Sequence, residues 1–217
     1  MKFGDIDIHW LGHDAFRIHG EGKVVYTDPF KIRTGPARVV NPAADLILVT
    51  HEHFDHCSPE DVAKIVADKT VIVCPADCVE KFPGTLKTMP VKPGDRVNAA
   101  GIEVEAVPAY NTNKKFHLRE RQWVGYIFTI GGRRIYIAGD TDRIPEMKDF
   151  KADVALLPVS GTYVMTADEA AGAALDMKPA LAIPMHYGSI VGSEEDARRF
   201  KDLLEGKVEV VLPGREG

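Results

Sequence analysis

The stretch Thr50-His51-Glu52-His53-Phe54-Asp55-His56 constrains this chain more than any other. It follows Leu46-Ile47-Leu48-Val49, an apolar run that reads as a buried strand. Residues two apart on an extended segment share a side, so His51 and His53 can face one cation together. Once the chain turns, Asp55 and His56 are free to face a second cation. Neutral imidazoles and a carboxylate suit zinc, manganese, iron or nickel, and imidazole alone does not choose among them. With 8 histidines in 217 residues, gathering three of them around one aspartate points to a metal site rather than a solvated loop.

A chain of 217 residues fits one domain spanning 1–217, or two small halves sharing a core. Its net charge of −5 leaves no footprint for a phosphate backbone, which argues against nucleic acid as a partner. A local basic run, Lys114, Lys115, Arg119 and Arg121, could draw an anionic group on a substrate or simply be solvated. The start, Met1-Lys2-Phe3-Gly4-Asp5, lacks the basic-then-apolar order of a signal peptide, and no apolar run approaches the length of a spanning helix. Cys57, Cys74 and Cys78 are an odd set, which without a secretion signal reads as reduced thiols in the cytoplasm.

Taken in order, Asp5–Trp10, Phe16–His19 and Lys23–Thr27 read as three strands, with His13 and Asp14 in the first turn and Asp28 closing the third. Residues 31–43, with Thr34-Gly35-Pro36 and Asn41-Pro42, read as a loop. Ser58-Pro59-Glu60-Asp61 starts a helix, and Thr70–Cys74 is a further buried strand. From Thr85 to Pro108 the pattern is β, followed by a polar loop to His117. A hairpin over 122–139 ends in Gly139-Asp140-Thr141. Asp153–Leu157 is another strand, and Thr166 to Asp176 a capped helix. The strand Ala180–Met185 runs into His186, a last helix opens at Ser193, and Val208–Leu212 closes the chain as a strand. Strand, helix, strand order of this kind predicts an α/β layered fold.

The His51 cluster, Asp140 and His186 each follow an apolar strand. In layered α/β folds, loops at strand ends converge on one crevice. Two cations held side by side need a bridging carboxylate, and Asp140 is placed to supply it.

These motifs resemble the metallo-β-lactamase fold. His51-Glu52-His53-Phe54-Asp55-His56 is similar to its HxHxDH signature, Gly139-Asp140-Thr141 to its bridging-aspartate segment, and Pro184-Met185-His186-Tyr187 to its last histidine. Trp10-Leu11-Gly12-His13 with Thr27-Asp28-Pro29-Phe30 resembles the branch of UlaG-like (ascorbate-6-phosphate lactonase-like) and N-acylphosphatidylethanolamine phospholipase D-like enzymes. The resemblance implies a four-layer αββα sandwich, two mixed sheets flanked by helices. It implies His51 and His53 on a first metal, Asp55, His56 and His186 on a second, and Asp140 bridging. A further histidine is expected after the strand ending at Val107-Pro108. That slot holds Asn111, so His117 swings in, Asn111 supplies an oxygen, or the first site stays loose and only partly filled. Imidazole is the better ligand, which favours His117.

The expected chemistry is hydrolysis of an ester, lactone or phosphodiester of a small anionic substrate by a metal-bound hydroxide, with two divalent ions, zinc first among them. Asp55 and Asp140 are the expected catalytic carboxylates. His13, Asp28, Tyr110 and Asn111 are placed around the ions, touching substrate or holding ligands from behind. An oxygen- or nitric-oxide-reducing di-iron protein of the same fold, a nuclease of that fold and a metal-binding module without turnover are the alternatives. A small molecule is the expected partner, no membrane is expected, and a homo-oligomer is left open.

Overall fold

The computed structural model describes residues 1–32 and 42–215, so most of the loop expected over 31–43, including Thr34-Gly35-Pro36 and Asn41, lies outside the described residues. Two seven-stranded sheets carry the fold. The first runs in chain order through β1 (Lys2–Phe3), β2 (Ile6–Gly12), β3 (Ala15–Gly20), β4 (Lys23–Thr27), β5 (Leu46–Leu48), β6 (Val71–Pro75) and β7 (Lys87–Val91). The second holds β8 (Arg96–Ala99), β9 (Ile102–Pro108), β10 (Val124–Ile130), β11 (Arg133–Ile137), β12 (Val154–Pro158), β13 (Leu181–Met185) and β14 (Glu209–Val210). Each sheet is an antiparallel meander that turns parallel at its fourth strand. Both sheets are therefore mixed, as expected.

The alternation of side chains decides the layers. In β5 and β6, Leu46, Leu48, Val71 and Val73 turn into the main core between the sheets. Their neighbours Ile47, Val49, Ile72 and Cys74 turn outward under Val62 of α1 (Pro59–Ala63) and Ile65 just after it. A strand covered on both sides has no polar side, which is why these runs read as continuous apolar stretches. On the far side, α2 (Ala167–Met177) lays Ala170, Ala171, Ala173 and Ala174 against the second sheet. Its small side chains permit a close approach, and a capping box between Thr166 and Glu169 fixes its start. Beside it, α3 (Glu194–Leu204) buries Ala197, Phe200 and Leu204.

Expected elements recur with shifted ends; β2 and β3 run on to Gly12 and Gly20, and the closing strand shortens to Glu209–Val210. Three short 3-10 segments, Ala76–Lys81, Arg119–Arg121 and Pro145–Asp149, carry no periodicity long enough to read from sequence. Tyr126 of β10 crosses the core to donate its hydroxyl to the Val49 carbonyl at 2.7 Å. The Val124 N–H donates to the Thr50 carbonyl at 3.2 Å. Together these bonds pin the two sheets to each other at the ends of β5 and β10, where the histidine loop begins.

Candidate metal centre

Six loops meet at this edge: those after β2, β4, β5, β9, β11 and β13 bring in His13, Asp28, His51 to His56, His117, Asp140 and His186. A first quartet consists of His51, His53, His117 and Asp140. His51 Nε2 lies 3.0 Å from His53 Nδ1, and His117 Nε2 lies 3.2 Å from the same atom. Asp140 Oδ2 is 3.2 Å from His117 Nε2 and 3.9 Å from His51 Nε2. Four donors around a cation at about 2.0–2.1 Å stand roughly 3.3 Å apart, so this spacing suits a tetrahedral ion.

A second quartet consists of His13, Asp55, His56 and His186. Asp55 Oδ2 is 3.0 Å from His13 Nε2 and 3.7 Å from His56 Nε2. The other oxygen of Asp140, Oδ1, lies 3.3 Å from His56 Nε2 and 3.2 Å from His186 Nε2. Asp140 thus presents one oxygen to each quartet.

The backbone here is bent into conformations that side chains avoid. His13, Asp28, His117 and His186 all have positive φ, at 54°, 37°, 53° and 60°. Each costs on the order of 1 kcal/mol, and such strain concentrates where geometry is imposed by function. Gly139, at φ 63°, precedes Asp140 where an added Cβ would fall 2.8 Å from Thr50 Cβ.

The far nitrogens of the histidines are also held. Asp28 accepts from His56 Nδ1 at 2.8 Å, from the Thr50 hydroxyl at 2.7 Å and from the Thr50 N–H at 2.8 Å. That hydroxyl stands 3.0 Å from His51 Nδ1. Ser160 Oγ holds His186 Nδ1 at 2.9 Å. Trp123 backs the first quartet, its ring 4.9 Å from those of both His51 and His53.

Charge and burial favour cations. Burial lowers the pKa of His51, His53 and His13, which keeps their lone pairs free. Burial also opposes a proton on His56 and on His186, yet Asp140 and neighbouring carboxylates outweigh it and raise both. Asp140 itself, desolvated but facing His186 and His56, falls well below the ordinary carboxylate range. Burial pushes the Asp14 carboxyl up to about 7. His56 Nε2, Asp140 Oδ1 and both Asp14 oxygens are buried without a hydrogen-bond partner. His56 Nε2 and Asp140 Oδ1, orphaned and aimed at one another across 3.3 Å, fit a divalent ion.

Comparison with known proteins agrees. The β-lactamase superfamily domain model matches residues 7–186. A UPF0173 metal-dependent hydrolase of Thermoplasma acidophilum is 37% identical over 92% of this chain and 91% of its own. One from Pyrococcus abyssi is 35% identical over 97% and 98%. The chain belongs to the UPF0173 metal-dependent hydrolase family of the metallo-β-lactamase superfamily. A crystal structure of a protein described as a metal-dependent hydrolase, from Parabacteroides distasonis, superposes with a TM-score of 0.84 at 35% identity, covering 96% of this chain and 92% of that one.

Within this family frame the sequence expectations sort clearly. His51, His53, Asp55, His56, His117, Asp140 and His186 all converge. Asp28 stands behind His56, 2.8 Å from its Nδ1. Asn111 lies beside His117, its amide nitrogen 3.3 Å from Nδ1 and donating to the Tyr163 carbonyl at 2.6 Å, while its Oδ1 is buried without a hydrogen-bond partner. Tyr110 departs from expectation. Its hydroxyl donates to Glu146 at 3.0 Å and Arg119 lies over its ring, so it braces the neighbouring loop. His13 stands closer than expected, inside the second quartet. Cys57, Cys74 and Cys78 pack in the core under α1 as free thiols. Asp14, Thr50, Trp123 and Ser160 were missed. Asp14 adjoins His13 in the glycine turn, a signal that was there to be read; Ser160 and Trp123 become visible only in three dimensions.

Proposed function

We propose that this chain hydrolyses an ester, lactone or phosphodiester bond of a small substrate at a pair of divalent ions, zinc first among the candidates. The observation that carries the reading is the Asp140 carboxylate, with one oxygen facing each quartet. When bound, such ions supply Lewis acidity and a water acidic enough to ionise near neutral pH. His51, His53 and His117 would hold one ion, and Asp55, His56 and His186 the other. His13, hydrogen-bonded to Asp55 at 3.0 Å, fixes that carboxylate and with it the direction from which water is oriented. The full donor set, with His117 beside Asp140, weighs against a module that has lost turnover.

The Trp10-Leu11-Gly12-His13 and Thr27-Asp28-Pro29-Phe30 segments favour the UlaG-like and N-acylphosphatidylethanolamine phospholipase D-like branch. Among the described residues no helix is long and apolar enough to cross a membrane. Three unpaired thiols suit a reducing compartment such as the cytoplasm. The test is metal analysis of the purified protein together with a panel of 4-nitrophenyl esters, lactones and bis(4-nitrophenyl) phosphate. Two ions per chain and turnover that His56→Ala abolishes are expected. Undiminished turnover in a folded His56→Ala protein would refute the reading.

A further inference from the structure

Among the described residues six large apolar side chains are exposed, and all but Leu175 lie on segments that carry or hold the metal donors. Phe54, 69% exposed, sits between His53 and Asp55. Phe116 and Leu118 flank His117, pointing outward where the imidazole points inward. Tyr163 meets Phe116 edge-on at 4.8 Å, and its carbonyl accepts from Asn111. Ile190 follows His186 in the next turn of chain. On the other side, the aromatic surface continues inward from Phe54 to Phe30 at 5.8 Å and from Phe30 to His13 at 6.0 Å.

Three of the four basic side chains in the 114–121 stretch are already engaged. Lys114 pairs with Asp142, Arg119 with Glu146 at 3.2 Å, and Arg121 with Glu52. An anionic group drawn to those three would have to displace their carboxylates, whereas an apolar group would cover surface that otherwise stands in water. Exposed apolar patches of this kind mark binding sites.

We propose that the substrate carries an apolar acyl or aryl group that packs on the rim formed by Phe54, Phe116 and Tyr163, its scissile bond reaching the ions between them. This rests on the hydrolytic reading above and names its substrate class. Phe54 adjoins His53 and Phe116 adjoins His117 in sequence, and those two imidazoles stand 3.2 Å apart, so the two phenyl groups stand on adjoining stretches of the site's edge. In the reaction, water's oxygen bonds to the acyl carbon, the acyl–oxygen bond breaks and the leaving oxygen takes the proton.

The test uses zinc-loaded protein and two series: binding of acetate, butyrate, hexanoate and succinate by calorimetry, and kcat/KM on 4-nitrophenyl acetate, butyrate and hexanoate. Full burial of a methylene is worth about fourfold, so a half-open rim should give about twofold per methylene. Hexanoate should therefore bind about tenfold or more tightly than acetate, and Phe54→Ala with Phe116→Ala should compress that ratio. Both side chains are exposed, so these variants keep the fold. Succinate binding as tightly as hexanoate, or a flat chain-length series, overturns the proposal. So does a dimer in light scattering, or retention on phosphatidylcholine vesicles, that the double variant abolishes while the ratio stays intact. Chain-length-dependent binding without turnover of any ester, lactone or bis(4-nitrophenyl) phosphate would sink the hydrolytic reading and leave the rim standing. Turnover with a flat series would do the reverse.

Discussion

Asp28 is the point at which a small change should reach both ions at once. Its carboxylate accepts from His56 Nδ1 at 2.8 Å and, through the Thr50 hydroxyl at 2.7 Å, steadies His51 Nδ1. With Nε2 of each imidazole given to a cation, Nδ1 carries the proton and needs an acceptor. In Asp28→Asn the shape survives but one oxygen becomes an NH2. Turned one way, that NH2 faces the His56 N–H; turned the other, it faces the Thr50 N–H now held at 2.8 Å. Either way donor meets donor in a buried place, at a cost of about 1–3 kcal/mol to the fold. Loss of such an outer partner typically lowers metal affinity ten- to a hundred-fold. That is about 1.4–2.8 kcal/mol per site. Because Asp28 serves one histidine of each quartet, both binding steps should weaken. Chelator competition with zinc, read alongside circular dichroism to show the variant is folded, measures this. Affinities within twofold of the parent at both sites would refute the hydrogen-bond chain as the device that orients the ligands.

Gly139→Ala should lower Tm and weaken both ions, since the new Cβ meets Thr50 at 2.8 Å on a backbone with φ 63°; thermal unfolding with an unchanged midpoint would contradict it. His56 and His186 titrate above 6.5, so cation binding at pH 7 should release protons, seen as a heat that varies with buffer ionisation enthalpy; a buffer-independent heat would count against it. The sign for metal-free stability follows. The raised histidines contribute fully below about pH 6.5 and lose that contribution as pH climbs through their folded values, and Asp14, raised to about 7, works the same way from acid to neutral pH. The lowered His51, His53 and His13 gain theirs only up to about pH 6.5. Metal-free Tm should therefore decline above neutrality, and a Tm rising from pH 7 to 9 would disprove the balance of charges.

The strand ends were the legible part of this chain. Leu46-Ile47-Leu48-Val49 announced a strand covered on both sides, and the histidines after it could only lie at its end. His117 was reachable through the family resemblance, which implies a further ligand after β9, with imidazole outranking the Asn111 amide for a transition metal. What escaped was whatever depends on distant segments meeting. Ser160 comes to His186 from 26 residues away, and Trp123 reaches the first quartet from the start of β10, neither with a local pattern. Tyr110 misled because position in a loop says nothing of direction, and Glu146 lies 36 residues further on. The ion pairs of the basic run were hidden for the same reason, since the partners Glu52, Asp142 and Glu146 come from other loops. The 3-10 segments left no trace in the periodicity because they are too short to have one.

The most direct test is anomalous diffraction at the zinc edge from crystals of the zinc-loaded protein. Two peaks about 3.5–4 Å apart, with one Asp140 oxygen against each, are the expected result. A single peak, or two too far apart for Asp140 to touch both, would contradict the account at its root.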